Sequence, residues 1–147
     1  MSSTNIAPVA ASPTLRDEDY RAQADFRYRV RRFLHYSEQQ ARAAGITPQQ
    51  HLLLLVVRGH PSYPGVSITE IAEQLQVRHH SASLLVERVV RRGLLLREGD
   101  PTDRRRALVS LSPQGLDVLE RITHANRQAL GELQDALVKL QHSLAVP

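Results

Sequence analysis

The chain has 147 residues, no cysteine and a net charge of +4 with neutral histidines, from 19 basic and 15 acidic residues. The length fits one domain, or one domain with extensions that mediate dimerisation. Disulfides, thiolate metal sites and thiol redox switches are excluded. No run of about 18 apolar residues predicts a membrane span. Residues 1–13 resemble a disordered tail rather than a secretory signal, so we expect a cytoplasmic protein without a membrane partner.

Two helices are predicted before the middle of the chain. The first covers residues 15–44, with Thr14 as its N-cap and Gly45 as its stop, and its acidic first turn is favoured by the helix dipole. The second covers residues 48–59, with Thr47 before a proline at the first helical position. Its continuous apolar run, LLLLVV, predicts burial on nearly every side.

The next segment has the outline of a helix-turn-helix. Ser67 and Glu70 have the spacing of a capping box at the start of a short helix, SITEIAEQL. A brief connector leads to a second helix from about His79 to Arg92, which Gly93 ends. Its apolar residues recur at the spacing of one inward face: Ala82, Leu85, Val86 and Val89.

A hairpin and a long final helix complete the predicted elements. The strands are LLLRE at residues 94–98 and ALVSL at 107–111, and they enclose the basic loop GDPTDRRR. Ser112 caps a helix that extends to about Ser143. Its apolar stripe consists of Leu116, Leu119, Ile122, Leu130, Leu133, Leu137 and Leu140. Because both terminal helices carry more apolar surface than the short central unit can cover, we predict a homodimer.

Three stretches carry a resemblance to a known family: ITEIAEQL, SASLLVERVVRRGLLLRE and DPTDRRRALVSLSPQG. They are similar to the first motif helix, the recognition helix with the first wing strand, and the wing signature of the MarR family of winged helix-turn-helix transcriptional regulators. The resemblance implies a mainly α fold in a single domain, residues 14–147. Within it, the DNA-binding lobe would cover residues 47–112, and the dimerisation helices would cover 14–46 and 113–147.

The resemblance also implies the function and the partner. The chain would be a homodimeric regulator, expected to be a repressor, that binds a pseudo-palindromic site in double-stranded DNA. The sequence itself does not separate repression from activation. In the recognition helix the outward residues near the N-terminus are the predicted DNA contacts: Arg78, His79, His80, Ser81, Ser83 and Leu84. A helix N-terminus favours phosphate, polar side chains can donate to base edges, and leucine can contact a thymine methyl group.

The wing supplies the other predicted DNA contacts. Arg105 matches the arginine of the family's Asp-x-Arg pair, and we expect it to enter a narrow A·T-rich minor groove, where negative potential concentrates. Arg104 and Arg106 are expected at phosphates or in solvent. Asp103 is expected to orient an arginine, with Arg88 as a candidate partner. Taken alone, the same loop is equally consistent with a solvated basic turn that has no function.

The resemblance further implies a small-molecule effector. Many members of the family bind aromatic or phenolic acids between the dimerisation helices and the DNA-binding lobe, and then release DNA. The polar candidates in the matching region are Arg32, His35, Tyr36 and His51. Arginine or histidine facing an apolar cleft would suit a carboxylate. Each of the four is also open to being an ordinary residue of a helix surface or an interface.

Other function classes have weaker support. His79 and His80 are adjacent and therefore point about 100° apart on a helix, and no helix carries a His-x-x-x-His pair, so we expect no metal site and no cofactor. There is no phosphate-binding loop or nucleophile elbow, so we expect no enzyme. Because some members of the family sense zinc, a metal-responsive regulator stays an alternative. A winged helix that binds protein and a non-specific architectural DNA protein are the others.

Overall fold

The computed structural model describes residues 14–145, so the predicted tail at residues 1–13 lies outside the described part. Five helices and three strands follow one another: α1 (Asp17–Ala43), α2 (Pro48–Gly59), β1 (Val66–Ser67), α3 (Ile68–Leu75), α4 (His79–Arg91), β2 (Leu95–Gly99), β3 (Ala107–Leu111) and α5 (Pro113–Ala145). The strands form an antiparallel sheet in the order β1-β3-β2. The predicted fold, mainly α with a winged helix-turn-helix, is confirmed.

The start of α1 differs from the prediction. Arg16, not Thr14, is the N-cap, and its backbone N–H donates to the carboxylate of Asp19 at 2.9 Å. The same carboxylate accepts a bond from the hydroxyl of Ser143 at 2.6 Å. A contact across 124 residues of chain therefore fixes this helix end, and no local pattern contains it. At the other end the helix stops at Ala43, and Gly45 follows with a φ of 83°.

Helix α2 begins as predicted but is not buried on every side. The hydroxyl of Thr47 accepts the backbone N–H of Gln50, and the side chain of Gln50 accepts the N–H of Thr47, both at 3.1 Å. The buried residues Leu53, Leu54 and Val57 lie on the face that packs into the central lobe. Leu52 and Leu55 are 46% and 42% exposed, because α1 and α5 do not close over the opposite face.

The helix-turn-helix forms as its pattern predicts. The hydroxyl of Ser67 accepts the backbone N–H of Glu70 at 3.2 Å, and the Glu70 carboxylate reaches back to the Ser67 N–H at 3.4 Å. All four predicted inward residues of α4 are buried, although α4 ends at Arg91, one residue early. Strand β1 was not predicted, because two residues are too short to show an alternating pattern. It pairs Val66 with Val109 of β3.

The wing joins α5 at a tightly packed corner. Strand β3 has the predicted limits, while β2 is one residue later than predicted. The Ser112 hydroxyl accepts the N–H of Gly115 at 3.0 Å, which confirms its capping role, and donates to the carbonyl of Gly93 at 2.6 Å. A Cβ at Gly115 would lie 2.0 Å from the carbonyl oxygen of Leu94. Only glycine allows this approach.

Helices α1 and α5 pack against each other along much of their length. The side chain of Asn126 donates to the hydroxyl of Ser37 at 2.9 Å within this interface. The predicted apolar stripe of α5 is only partly covered: Leu119 and Ile122 are buried, whereas Leu130 and Leu137 are 49% and 42% exposed. Among residues 14–145, no helix combines the length and apolar character that a membrane crossing needs.

Candidate nucleic-acid interface

The N-terminal turns of α4 present the residues predicted to contact DNA. Arg78 is the N-cap, and its side chain makes no capping hydrogen bond, so the first N–H groups of the helix lack a side-chain acceptor. Most of the predicted residues are exposed, with Ser83 half-buried: Arg78, His79, His80, Ser81 and Leu84. Leu84 has 41% of its surface exposed, although the next residue in the chain, Leu85, is buried. The helix therefore offers an open, uncapped and mildly basic end.

Two aspartates build the wing loop. Asp100 accepts both the backbone N–H and the hydroxyl of Thr102, at 2.9 and 2.8 Å, and these bonds lower the pKa of its carboxyl. Asp103 accepts the backbone N–H of Arg105 at 3.0 Å. Each aspartate bonds to the residue two positions on, which is the geometry of an Asx-turn. The acidic residues of this basic loop shape its backbone and need no contact with DNA.

Asp103 thus orients an arginine through the main chain rather than the side chain. Among the ion pairs of residues 14–145, none joins Asp103 to Arg88 and none includes Arg104 or Arg105. Arg88 is exposed on α4. The structure therefore does not pair the predicted partners. Arg104 and Arg105 are both exposed in the loop, and neither guanidinium forms an ion pair among residues 14–145.

Arg106 has a different environment from the two arginines before it. Its guanidinium lies 3.3 Å from the carboxylate of Glu70 at the start of α3. The same carboxylate accepts the hydroxyls of Ser62 and Ser67, at 2.6 and 2.8 Å, and His60 Nδ1 is 3.2 Å away. The Ser62 bond is the main cause of the lowered pKa of Glu70. Arg106 links the wing to α3 in this structure, and half of its side chain is exposed to solvent, as predicted. Its contact with phosphate stays a prediction.

Arg92, to which the sequence analysis assigned no role, also links two elements. Arg92 follows α4 directly, and its guanidinium donates to the side-chain oxygen of Gln50 at 2.8 Å and to the carbonyl of Gly45 at 2.7 Å. The acceptors precede Arg92 by 42 and 47 residues. No local sequence signal could have revealed this contact.

The four residues proposed for a ligand pocket do not converge. Arg32 and Tyr36 line a cleft of about 260 Å³ between α1 and α5. His51 lines a separate cavity of about 510 Å³ between α1, α2 and α5. His35 lines neither, and its ring is 3.3 Å from the side chain of Gln39. An arginine facing the cavity of His51, which the carboxylate hypothesis needs, is absent from its lining.

The larger cavity has an apolar wall and a polar end. Leu34, Leu52 and Leu55 contribute to the wall. At the polar end Asn126 is buried, and its side-chain oxygen has no hydrogen-bond partner within residues 14–145. His51 is buried as well, and desolvation lowers the pKa of its imidazole. A buried acceptor without a partner costs about 1–3 kcal/mol, so Asn126 carries an unmet hydrogen bond at the edge of this cavity.

No group of three His, Asp or Glu side chains in the part of the chain that the structure describes could hold a metal ion. His79 and His80 both lie exposed at the start of α4. Neither of them forms an ion pair among residues 14–145.

The central part of the chain resembles a known family. Residues 44–106, from the end of α1 to the wing tip, match the family model described as MarR family. This central segment of the chain therefore resembles the MarR family. This confirms the resemblance read from the three sequence stretches, and the match covers both the helix-turn-helix and the basic loop.

Individual relatives agree with this resemblance. A protein of Thauera aromatica described as a transcriptional regulatory protein for the hcr operon is 29% identical over 67% of this chain and 58% of its own length. The transcriptional repressor MdtR of Bacillus subtilis is 30% identical over 58% of this chain and 53% of its own. This chain thus spans little more than half the length of either relative. Both relatives are regulators rather than enzymes.

A solved structure gives the same result for the fold. The S. aureus MepR–DNA complex is 25% identical to this chain, covers 79% of it and 81% of the MepR chain, and has a TM-score of 0.60. That complex contains DNA bound to MepR. The structural match extends beyond the central lobe, because it covers more of the chain than residues 44–106.

Proposed function

We propose that this protein is a sequence-specific regulator of the MarR family, which binds double-stranded DNA as a homodimer and represses transcription. One observation carries the proposal. A single lobe presents an uncapped, exposed helix start at α4 and a wing tip on which Arg104 and Arg105 are exposed and unpaired within residues 14–145. The DNA held by MepR, a relative of the same fold, supports the same class of partner.

The two exposed features suit different parts of a DNA duplex. A helix of this size fits the major groove, where the polar residues His79, His80 and Ser81 can meet base edges and phosphates. A hairpin beside it can reach the flanking minor groove. Arg105 has its backbone fixed by Asp103, so its side chain starts from a defined position. Arg104 is the expected phosphate contact.

Dimerisation rests on the terminal helices. Three apolar residues of α5 are 42–51% exposed: Leu130, Leu137 and Val138. A second copy of the chain is the partner proposed to cover them, because a symmetric operator is bound by a symmetric dimer. We propose residues 14–46 and 113–147 as the dimerisation segments and residues 47–112 as the DNA-binding lobe. A dimer places two lobes on half-sites about one helical turn apart. The proposed operator implies that the protein works in the cytoplasm.

We also propose that a small molecule bound in the 510 Å³ cavity relieves repression. The cavity lies between the terminal helices and the lobe, so its occupant contacts both parts. Its lining argues for an uncharged ligand that bears a hydroxyl group. Glu38 is the charged residue of the lining, and the lowered pKa of His51 keeps that ring neutral at pH 7. The oxygen of Asn126 can then accept the hydroxyl of the ligand.

The decisive experiment is a footprint on the DNA that flanks the protein's own gene, followed by affinity measurements with Arg105→Ala. We expect a protected, two-fold symmetric site. Arg105→Ala should weaken specific binding by about 1–3 kcal/mol and relax the preference for A·T pairs beside each half-site.

Arg104→Ala is the matched control, because it removes the same charge from the neighbouring position of the same loop. A phosphate contact at Arg104 should weaken all sequences alike and flatten the dependence of affinity on salt. Unchanged specific affinity for Arg105→Ala would refute the wing assignment. Equal binding to all sequences by the unaltered protein would refute sequence-specific regulation and favour an architectural or protein-binding role.

A further inference from the structure

Two neighbouring arginines at the end of the recognition helix have different partners. Arg91 pairs with Glu87 on the same helix, with 3.3 Å between guanidinium and carboxylate. Arg92 instead crosses to the turn between α1 and α2, where it donates one bond to Gln50 and one to the Gly45 carbonyl. The first contact stays within α4, whereas the second joins α4 to another part of the molecule.

The two acceptors of Arg92 are themselves held in place. The oxygen of Gln50 that accepts from Arg92 also accepts the backbone N–H of Thr47, so it belongs to the cap of α2. Gly45 has a positive φ of 83° in the turn that ends α1. Both acceptors therefore sit at helix boundaries. The guanidinium is a planar fork of donors that can meet two such acceptors at once, whereas an ammonium cannot match this geometry.

Because Arg92 holds one end of α4, a small change in helix angle at this end would displace the residues at the other end. The helix has 13 residues, so its N-terminal contact residues lie about 20 Å from Arg92 at 1.5 Å per residue. A tilt of about 10° at the linked end would move them by roughly 3 Å. Displacements well below this size are enough to break a hydrogen bond to a base edge.

We propose that Arg92 is a positioning residue for DNA recognition: it fixes the recognition helix to the α1–α2 turn and so sets the angle at which His79, His80 and Ser81 meet the DNA. This inference rests on the proposed DNA-binding function. Arg92 acts at the opposite end of α4 from those residues. Its loss should therefore reduce discrimination between sequences rather than general attraction to DNA.

The experiment compares Arg92→Gln with Arg91→Gln. Both variants remove one positive charge at the end of α4, but only the first removes the link to the turn. Affinities for the footprinted operator and for unrelated DNA are measured over a range of salt concentrations, and folding is checked by denaturation. We expect Arg92→Gln to bind the operator about ten-fold more weakly than Arg91→Gln. Affinity for unrelated DNA and the salt slope should match between the two.

A second comparison uses Gln50→Leu, which removes one acceptor. If the link acts as proposed, Arg92→Gln should cost less affinity in the Gln50→Leu background than alone, which is the signature of coupled residues. Should Arg92→Gln not fold, Arg92→Lys provides the comparison, since it keeps the charge and loses the two-point contact. If Arg92→Lys binds the operator more weakly than the unaltered protein, and its affinity depends on salt in the same way, the result would support the proposal.

Three results would overturn the inference. Equal operator affinity for Arg92→Gln and Arg91→Gln would leave no positioning role. A parallel loss on operator and unrelated DNA, with a flatter salt slope than Arg91→Gln, would make Arg92 a phosphate contact. If the unaltered protein does not distinguish the operator from unrelated DNA, the proposed function itself fails, and the role of Arg92 fails with it.

Discussion

The apolar residues of the central lobe are buried more completely than those of the terminal helices. In the lobe Leu53, Ile71, Val86 and Val109 are completely buried within the chain. In α5, by contrast, Leu144 is 72% exposed and most of the apolar residues beyond position 129 remain partly open. The core of the lobe is closed within the chain, and Ala41 of α1 and Leu119 and Ile122 of α5 belong to it. The end of α5 carries apolar surface that the chain itself leaves partly exposed, and this is the surface proposed for dimerisation.

Polar contacts show the same difference. The lobe closes its corners with short bonds between adjacent elements, such as Ser112 to Gly93 and Gly115. The paired helices α1 and α5 are joined by polar side-chain contacts between residues far apart in the chain. They are the hydrogen bonds of Asn126 with Ser37, of Ser143 with Asp19 and of the Tyr36 hydroxyl with the Ala125 carbonyl, and the ion pair of Arg29 with Glu132. These bonds fix how α5 lies against α1, and they leave the apolar residues between them available to a second copy.

The largest expected effect compares two glycines of the same helix. Gly115→Ala would place a Cβ 2.0 Å from the carbonyl oxygen of Leu94 at the corner of the lobe. We expect the free energy of unfolding to fall by about 3 kcal/mol or more, because backbone must move on both sides. Chemical denaturation of the purified variant measures it.

Gly131→Ala is the control for that change. A Cβ at Gly131 meets nothing within 4 Å, and alanine is the better helix former by about 1 kcal/mol. We expect a small gain in stability. If both variants lose stability equally, the tight corner of the lobe is not the reason that position 115 needs glycine.

The next effect separates folding from assembly. Leu137→Glu places a charge on a residue of α5 that is 42% exposed in one chain. If this surface is buried in a dimer, association should weaken by at least about 2 kcal/mol, since two-fold symmetry counts the change twice. Analytical ultracentrifugation should then show monomers, while the lobe keeps its helical signal.

Leu96→Glu provides the matched comparison, because Leu96 is 45% exposed on β2 of the lobe. That variant should remain dimeric. A protein that is monomeric before any substitution, or a dimer that survives Leu137→Glu unchanged, would contradict the assignment of α5 to dimerisation.

The sequence predicted best where local patterns decide the structure. The capping box of Ser67 and Glu70 and the inward face of α4 depend on residues within one or two turns, and both are confirmed. The Asx-turns of Asp100 and Asp103 are equally local, and the preference of aspartate for such turns was an available signal. We expected Asp103 to orient an arginine, with Arg88 as a candidate partner, whereas its carboxylate bonds to the backbone N–H of Arg105.

The remaining features depend on contacts that no window of sequence contains. The start of α1 is set by the bond of Asp19 to Ser143. Arg106 contacts Glu70, which precedes it by 36 residues, and Arg92 contacts Gly45, which precedes it by 47 residues. A run of leucines such as that in α2 has no period, so it could not indicate which face would stay open. The roles of these residues follow from tertiary packing.

The smallest expected effect tests the cavity where the lobe and the terminal helices meet. Phenol and benzoate are similar in size but differ in charge, and we expect phenol to raise the free energy of unfolding by less than about 1 kcal/mol at a few times its Kd. Benzoate should do so less at pH 7, because Glu38 repels it and the lowered pKa of His51 leaves that ring neutral. The advantage of phenol should shrink only in acid, below the ordinary histidine pKa of about 6.5, as His51 gains its charge.

Two amides of α5 make this test specific. Asn126→Leu removes the amide that lines the cavity, together with its unpartnered oxygen, and should abolish the effect of phenol. Gln128→Leu removes an amide from the separate 260 Å³ cleft and should leave the effect intact. If benzoate stabilises the protein more than phenol does at neutral pH, the ligand is an acid held elsewhere, and the cleft with Arg32 becomes the better location. The charge of the ligand thus decides between the 510 Å³ cavity, which α2 of the lobe helps to line, and the 260 Å³ cleft, which is lined by α1 and α5.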